Sequence, residues 1–99
     1  MIYIVSCPHI NAGQTGAYRY SEASVVDAIK VMNGDLGPFR CLLHQNGRAM
    51  LAELSGIEPV RCPGIADYVD GDRMLVIRTK AFGSIDPDDY DFEWLDYTE

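Results

Sequence analysis

A chain of 99 residues with 47 % apolar and 23 % charged side chains has the composition of a single folded domain, and its aromatic residues exclude a disordered or low-complexity polymer. Its net charge of −7 argues against binding a nucleic-acid duplex, which calls for a basic surface, so long nucleic acid is discounted as a ligand. The three cysteines, Cys7, Cys41 and Cys62, are odd in number, far apart and free of C-x-x-C spacing, which excludes a disulfide framework or a zinc cluster and leaves buried or idle thiols.

No apolar run reaches the roughly 18 residues of a membrane span, and Met1-Ile2-Tyr3-Ile4-Val5 lacks the basic start of a signal peptide. A cytoplasmic protein with no membrane partner is the expectation. Ile2-Tyr3-Ile4-Val5 is apolar on both faces, as a buried central strand is. It runs into a loop from Ser6 to Gly16 rich in Pro, Asn and Gly, of a length that commonly carries binding residues. Tyr18-Arg19-Tyr20 predicts a short edge strand. Ser21 or Ser24 then caps a helix on which Val25, Val26, Ile29 and Met32 recur at helical spacing, with Asp27 and Lys30 toward water and Asn33-Gly34 as the stop.

Phe39 to Leu43 reads as a second buried strand that ends at His44. Asn46 is the predicted N-cap of a second helix, striped by Met50, Leu51 and Leu54 and stopped by Gly56. Ile57 to Val69, with Pro59, Pro63 and Gly64, is irregular, with parts able to pair as short strands, and Asp70-Gly71-Asp72 is a turn. Met74-Leu75-Val76-Ile77 is the strongest strand signal, extending toward Phe82 with Arg78 and Lys80 on one face. Phe92 to Tyr97 is predicted as a last edge strand whose acids discourage further pairing. The order predicts an α/β fold over residues 1–99: a small mixed β-sheet of about five strands flanked by two helices.

The charge is concentrated in Asp86, Asp88, Asp89, Asp91, Glu93, Asp96 and Glu99, with no Lys or Arg among residues 86–99. A solvated acidic edge explains this most simply; an acidic surface for a host protein's basic groove is the sharper reading. The most informative stretch is Leu43-His44-Gln45-Asn46-Gly47-Arg48. A helix N-terminus there offers free N–H groups and partial positive charge to a phosphate, with His44 and Arg48 adding a titratable donor and a fixed cation. On the residues alone, a structural His44 and a solvated Arg48 are the commoner outcome. If the first two strands are neighbours, His9 in the first loop comes near His44 and the two suit an acid–base couple, although two unrelated surface histidines are the commoner outcome. Tyr18, Arg19 and Tyr20 suit base stacking, or simply a Tyr-rich edge. No P-loop, G-x-G-x-x-G, nucleophile elbow or H-E-x-x-H occurs, and Asp70 and Asp72 lack the other ligands of a calcium loop, so no metal and no cofactor are predicted.

Along most of its length the chain resembles a family of archaeal-virus, phage and mobile-element proteins that includes the type III anti-CRISPR ring nucleases. The resemblance is carried by Tyr3-Ile4-Val5-Ser6-Cys7-Pro8, by the helix begun at Ser24, and by Leu43-His44-Gln45 followed by Met50-Leu51-Ala52-Glu53-Leu54-Ser55-Gly56-Ile57-Glu58. Gly71-Asp72 before Met74 to Ile77 completes it. It implies a homodimer that seats a cyclic oligoadenylate across its interface and cleaves it without metal. In that mechanism a ribose 2′-hydroxyl attacks the adjacent phosphate while a histidine, here His44, protonates the departing 5′ oxygen; a nearby phosphate favours the imidazolium form of such a histidine.

The chain departs from the family after the long strand. An Arg and a Glu that assist the chemistry are replaced by Phe82-Gly83-Ser84-Ile85, leaving Arg78 or Lys80 as the cation. The segment after the histidine is also replaced, by Gln45-Asn46-Gly47. The expected function is therefore a viral or mobile-element counter-defence protein that binds a cyclic nucleotide, either holding it or cutting it through His44. His9, Asn11, Asn46, Gly47, Arg48 and Arg78 are the expected ligand-binding residues. The alternative is a non-enzymatic inhibitor that binds a host defence protein through residues 86–99.

Overall fold

A computed structural model of the chain describes residues 1–8, 16–64 and 68–99. Strand β1 (Ile2–Val5) is followed by β2 (Ala17–Glu22), helix α1 (Val25–Met32), β3 (Phe39–Cys41), α2 (Gln45–Ser55), β4 (Arg73–Thr79), a 3₁₀ turn (Pro87–Asp89) and β5 (Tyr90–Thr98). The five strands form one mixed sheet in the order β2-β5-β4-β1-β3. β1 lies parallel to both β3 and β4, and β5 runs antiparallel to β4 and β2. The α/β class, the five strands and the two helices agree with the sequence reading.

Alternation along the strands divides the core into two faces. Ile2, Ile4, Leu75, Ile77 and Trp94 pack beneath the helices with Ala28, Val31, Met32, Met50 and Leu51. Tyr3, Val5, Met74, Val76, Tyr68 and Tyr97 cluster on the opposite face. β1 is buried at all four positions, as its two-sided apolar run requires.

The helix ends follow local chemistry. Ser24 caps α1: its hydroxyl accepts from Val26 N at 3.2 Å, while Asp27 accepts from Ser24 N at 2.8 Å, a reciprocal capping box. Gly56 ends α2 with φ +75°, a left-handed conformation that costs glycine least.

Five details differ from the sequence reading. The buried stripe of α1 is Ala28, Val31 and Met32, while Val26 is 57 % exposed, because the helix is rotated to set its smallest residue against the sheet. α2 begins earlier than predicted, with His44 and not Asn46 at the N-cap. β3 is short and sits at the edge of the sheet, with a parallel bridge between Cys41 and Arg61 beyond it.

The largest correction concerns β5. It is not an edge strand but lies between β4 and β2, and three of its acids are matched by bases on β4 and just after it. Arg73 meets Asp96 at 2.6 Å, Arg78 meets Glu93 at 2.6 Å and Lys80 meets Asp91 at 3.6 Å. Arg73 also lies over the Trp94 ring, 3.9 Å from its centroid. β4 ends at Thr79, short of Phe82. Cys7, Cys41 and Cys62 are all free thiols, with Cys41 buried and Cys7 exposed.

The face without helices is closed by tyrosines. Tyr68 lies edge-on to Tyr3 and Tyr18, with centroids at 5.5 and 6.3 Å, and Tyr97 lies 5.3 Å from Tyr18 and 5.7 Å from Tyr68. Gly16 makes this closure possible, since a Cβ there would stand 2.1 Å from the Tyr97 ring. Burial raises the phenol pKa of Tyr3, Tyr18 and, most strongly, Tyr68, and also that of Tyr90 under the helices.

The sign of the linkage follows from these upward shifts. The folded chain holds these protons more tightly than the unfolded chain, so the stabilisation is complete below the ordinary tyrosine value of about 10 and is lost as pH rises through the folded values. Stability measured by urea unfolding is expected to decline from about pH 10 upward, with phenolate absorbance appearing later in folded than in unfolded protein. Coincident absorbance titrations in the two states would contradict this.

Candidate functional site

The C-terminal ends of the parallel strands β1, β3 and β4 come together at one end of the sheet, where open α/β folds place their ligands. A cavity of about 200 Å³ opens there. Ser6 follows β1, Leu43 and His44 follow β3, and Ile77 and Thr79 end β4; Asn46 and Gly47 of α2, with Phe82, Gly83 and Tyr90, complete the lining.

His44 is exposed and occupies the N-cap of α2, with φ −74° and ψ 179°. Its backbone carbonyl accepts the first helical bond from Arg48 N at 3.1 Å, but its side chain makes no capping hydrogen bond. The imidazole is therefore not committed to holding the helix end. Gly47, in the first turn, packs directly on Leu43: a Cβ there would meet Leu43 Cδ1 at 2.9 Å. Lacking a side chain, it leaves the backbone of the first turn bare toward the cavity.

The opposite wall is built from the segment after β4. Thr79 Oγ1 donates to Ala81 O at 2.7 Å and accepts from Ala81 N at 3.2 Å. Ser84 Oγ donates to Asp89 Oδ2 at 2.6 Å, and the Tyr90 hydroxyl donates to Ser84 O. Burial raises the pKa of Tyr90 and keeps this donor protonated, against a smaller opposite effect of a hydrogen bond with Thr79. Gly83 turns the chain with φ +80°, leaving Phe82 at the rim.

Of the residues singled out in the sequence, the structure brings together His44, Asn46 and Gly47. Arg48 is on the same helix but does not line the cavity; its guanidinium acts on the Cys41 thiol, whose pKa is raised by burial and only partly restored by Leu43 N–H and Arg48. Arg48 Nε is enclosed without a hydrogen-bond partner among the described residues. Arg78 alternates with the cavity-lining Ile77 and Thr79, so it projects from the other face, where it pairs with Glu93. His9 and Asn11 lie outside the described residues. Thr79 and Tyr90 belong to no local motif, and the rule that ligands sit beyond parallel strand ends points to that region; Ser6 opens the loop expected to carry binding residues, and Phe82 begins the segment by which the chain departs from the resembling family.

No group of three or more His, Cys, Asp or Glu side chains suited to a metal occurs among the described residues. No described helix is long and apolar enough to cross a membrane. No family model matches the chain, and no curated protein matches it. Among solved structures, B116 of Sulfolobus turreted icosahedral virus (STIV) superposes with a TM-score of 0.68, covering 95 % of this chain and 97 % of that one at 12 % identity. The chain thus shares its fold, over nearly its whole length, with a virus protein.

Proposed function

We propose that this protein is a viral or mobile-element counter-defence protein that captures a cyclic oligonucleotide second messenger, with one phosphate at the N-terminus of α2 and the ligand shared between two copies of the chain. The observation that carries this reading is His44: an exposed imidazole, uncommitted to capping, beside the bare first turn of a helix and on the rim of a cavity. A phosphate there gains from N–H groups that the helix leaves unpaired.

The chemistry this arrangement offers is transesterification. The ligand's own 2′-hydroxyl gives its proton to solvent and attacks the adjacent phosphorus, the bond from phosphorus to the 5′ oxygen breaks as that oxygen takes a proton from His44, and a 2′,3′-cyclic phosphate and a 5′-hydroxyl result while His44 is reprotonated from water. His44 supplies the proton, and the helix N-terminus holds the phosphate in line for attack. The shared fold with a virus protein supports the viral origin. The inhibitor reading has less support, because Asp91, Glu93 and Asp96 are occupied by Lys80, Arg78 and Arg73.

The test is to incubate the protein with cyclic di-, tri-, tetra- and hexanucleotides and follow free ligand by liquid chromatography before and after heat denaturation. Linear products identify a nuclease. Ligand that vanishes and returns intact on heating identifies a binding protein without cleavage. If every ligand stays free and intact, the reading is wrong.

A further inference from the structure

We propose that Phe82 is a stacking residue that closes over a nucleobase held in the cavity; this rests on the reading just given. Phe82 is 103 % exposed, as open as in an unfolded chain, although the turn that carries it is anchored. Thr79 and Ala81 are joined in both directions, Ser84 N donates to Ala81 O at 3.2 Å, and Ser84 is tied to Asp89 and Tyr90. An ordered turn that presents a bare phenyl ring leaves a large apolar surface in water.

The cavity decides what kind of molecule suits that ring. Leu43, Ile77 and Tyr90 make its walls apolar, while Ser6, His44 and Asn46 place polar groups among them. Among the described residues no carboxylate lines it, in a chain that carries 15 acids. A ligand with a flat, weakly polar ring joined to an anion matches this pattern: the ring against Leu43, Ile77 and Phe82, the anion toward His44 and α2.

Size narrows the choice further. At about 200 Å³ the cavity is smaller than the roughly 300–1,000 Å³ that encloses a drug-sized ligand, so it accepts one base and its phosphate and not a whole cyclic oligonucleotide. Phe82 thereby decides how firmly one base of the larger ligand is held.

The experiment titrates cyclic tetra-adenylate, with ribose 5-phosphate as a control without a base, into wild-type protein and Phe82→Ala, Phe82→Leu and Phe82→Trp variants by calorimetry. Loss of the ring is expected to weaken cyclic tetra-adenylate binding about 5- to 150-fold, the usual range for one stacked base, in Phe82→Ala and also in the apolar but non-aromatic Phe82→Leu. Phe82→Trp is expected to bind as wild type, with its exposed indole quenched on binding while Trp94, 3 % exposed, stays constant.

If wild type binds cyclic tetra-adenylate and Phe82→Ala binds it equally well, the stacking role is wrong while the proposed function stands. If wild type binds no cyclic nucleotide, both are wrong. A change of oligomeric state in Phe82→Ala by sedimentation velocity would instead assign the ring to contact with a second copy of the chain and overturn the stacking role.

Discussion

Replacing His44 with alanine is expected to lower the rate of ring opening about 10²- to 10⁴-fold, the usual contribution of one general acid, while the protein stays folded and still takes up ligand. The separation of activity from stability rests on the helix cap. His44 is exposed and its side chain makes no capping bond, so Ala at this site changes stability by no more than about 0.5 kcal/mol.

Serine makes the test sharper, because its hydroxyl accepts from the first turn where imidazole does not. His44→Ser is expected to stabilise the protein by about 0.5–2 kcal/mol and to lose the same activity. A helix end that gives up an available cap is the kind of local cost that accompanies a functional side chain. Single-turnover chromatography and thermal unfolding of the same three proteins read both effects. An alanine variant that cleaves at the wild-type rate would remove His44 from the chemistry, and a serine variant less stable than wild type would refute the capping argument.

The second large effect lies in the core and distinguishes two residues that sequence periodicity treats alike. Leu51→Ala is expected to cost about 2–5 kcal/mol, since Leu51 is fully enclosed between α2 and the sheet and its removal leaves a cavity. Total stability for a domain of this size is roughly 5–15 kcal/mol, so the variant sits near the limit of folding, with a Tm lower by on the order of 10–30 °C. Val26→Ala, in the stripe predicted for α1, is expected to change stability by no more than about 0.5 kcal/mol, because that side chain faces solvent. Urea unfolding of both variants checks the pair; similar losses would mean that α1 is rotated from the orientation described.

The site was legible in part. The stretch from Leu43 to Gly47 is legible because a strand-to-helix junction is written in consecutive residues, and the cavity residues Leu43, His44, Asn46 and Gly47 all fall within it. The opposite wall is assembled from Ser6, Thr79, Phe82 and Tyr90, which are brought together when β1 pairs with β4 and β4 with β5, where Thr79 faces Tyr90. Arg78 illustrates the same gap. Its type suits a phosphate, but a single step of strand alternation sends it to the other face, where Glu93 of a distant segment neutralises it.

By itself the sequence determined what short-range forces decide: the order of strands and helices, the Ser24 capping box, the Gly56 stop, the Asp70-Gly71 turn and the two-sided burial of β1. Each depends on hydrogen bonds or torsional preferences within a few residues, so the local composition specifies it. Tertiary structure alone decided that β5 lies inside the sheet and not at its edge, that α1 turns Ala28 and not Val26 inward, and that Phe82 comes to the rim of the cavity. Those outcomes depend on which distant segments share backbone hydrogen bonds and bury apolar surface together. β2 covers β5 because Ala17–Glu22 pairs with residues 93–98, a choice made by long-range pairing that no local pattern records.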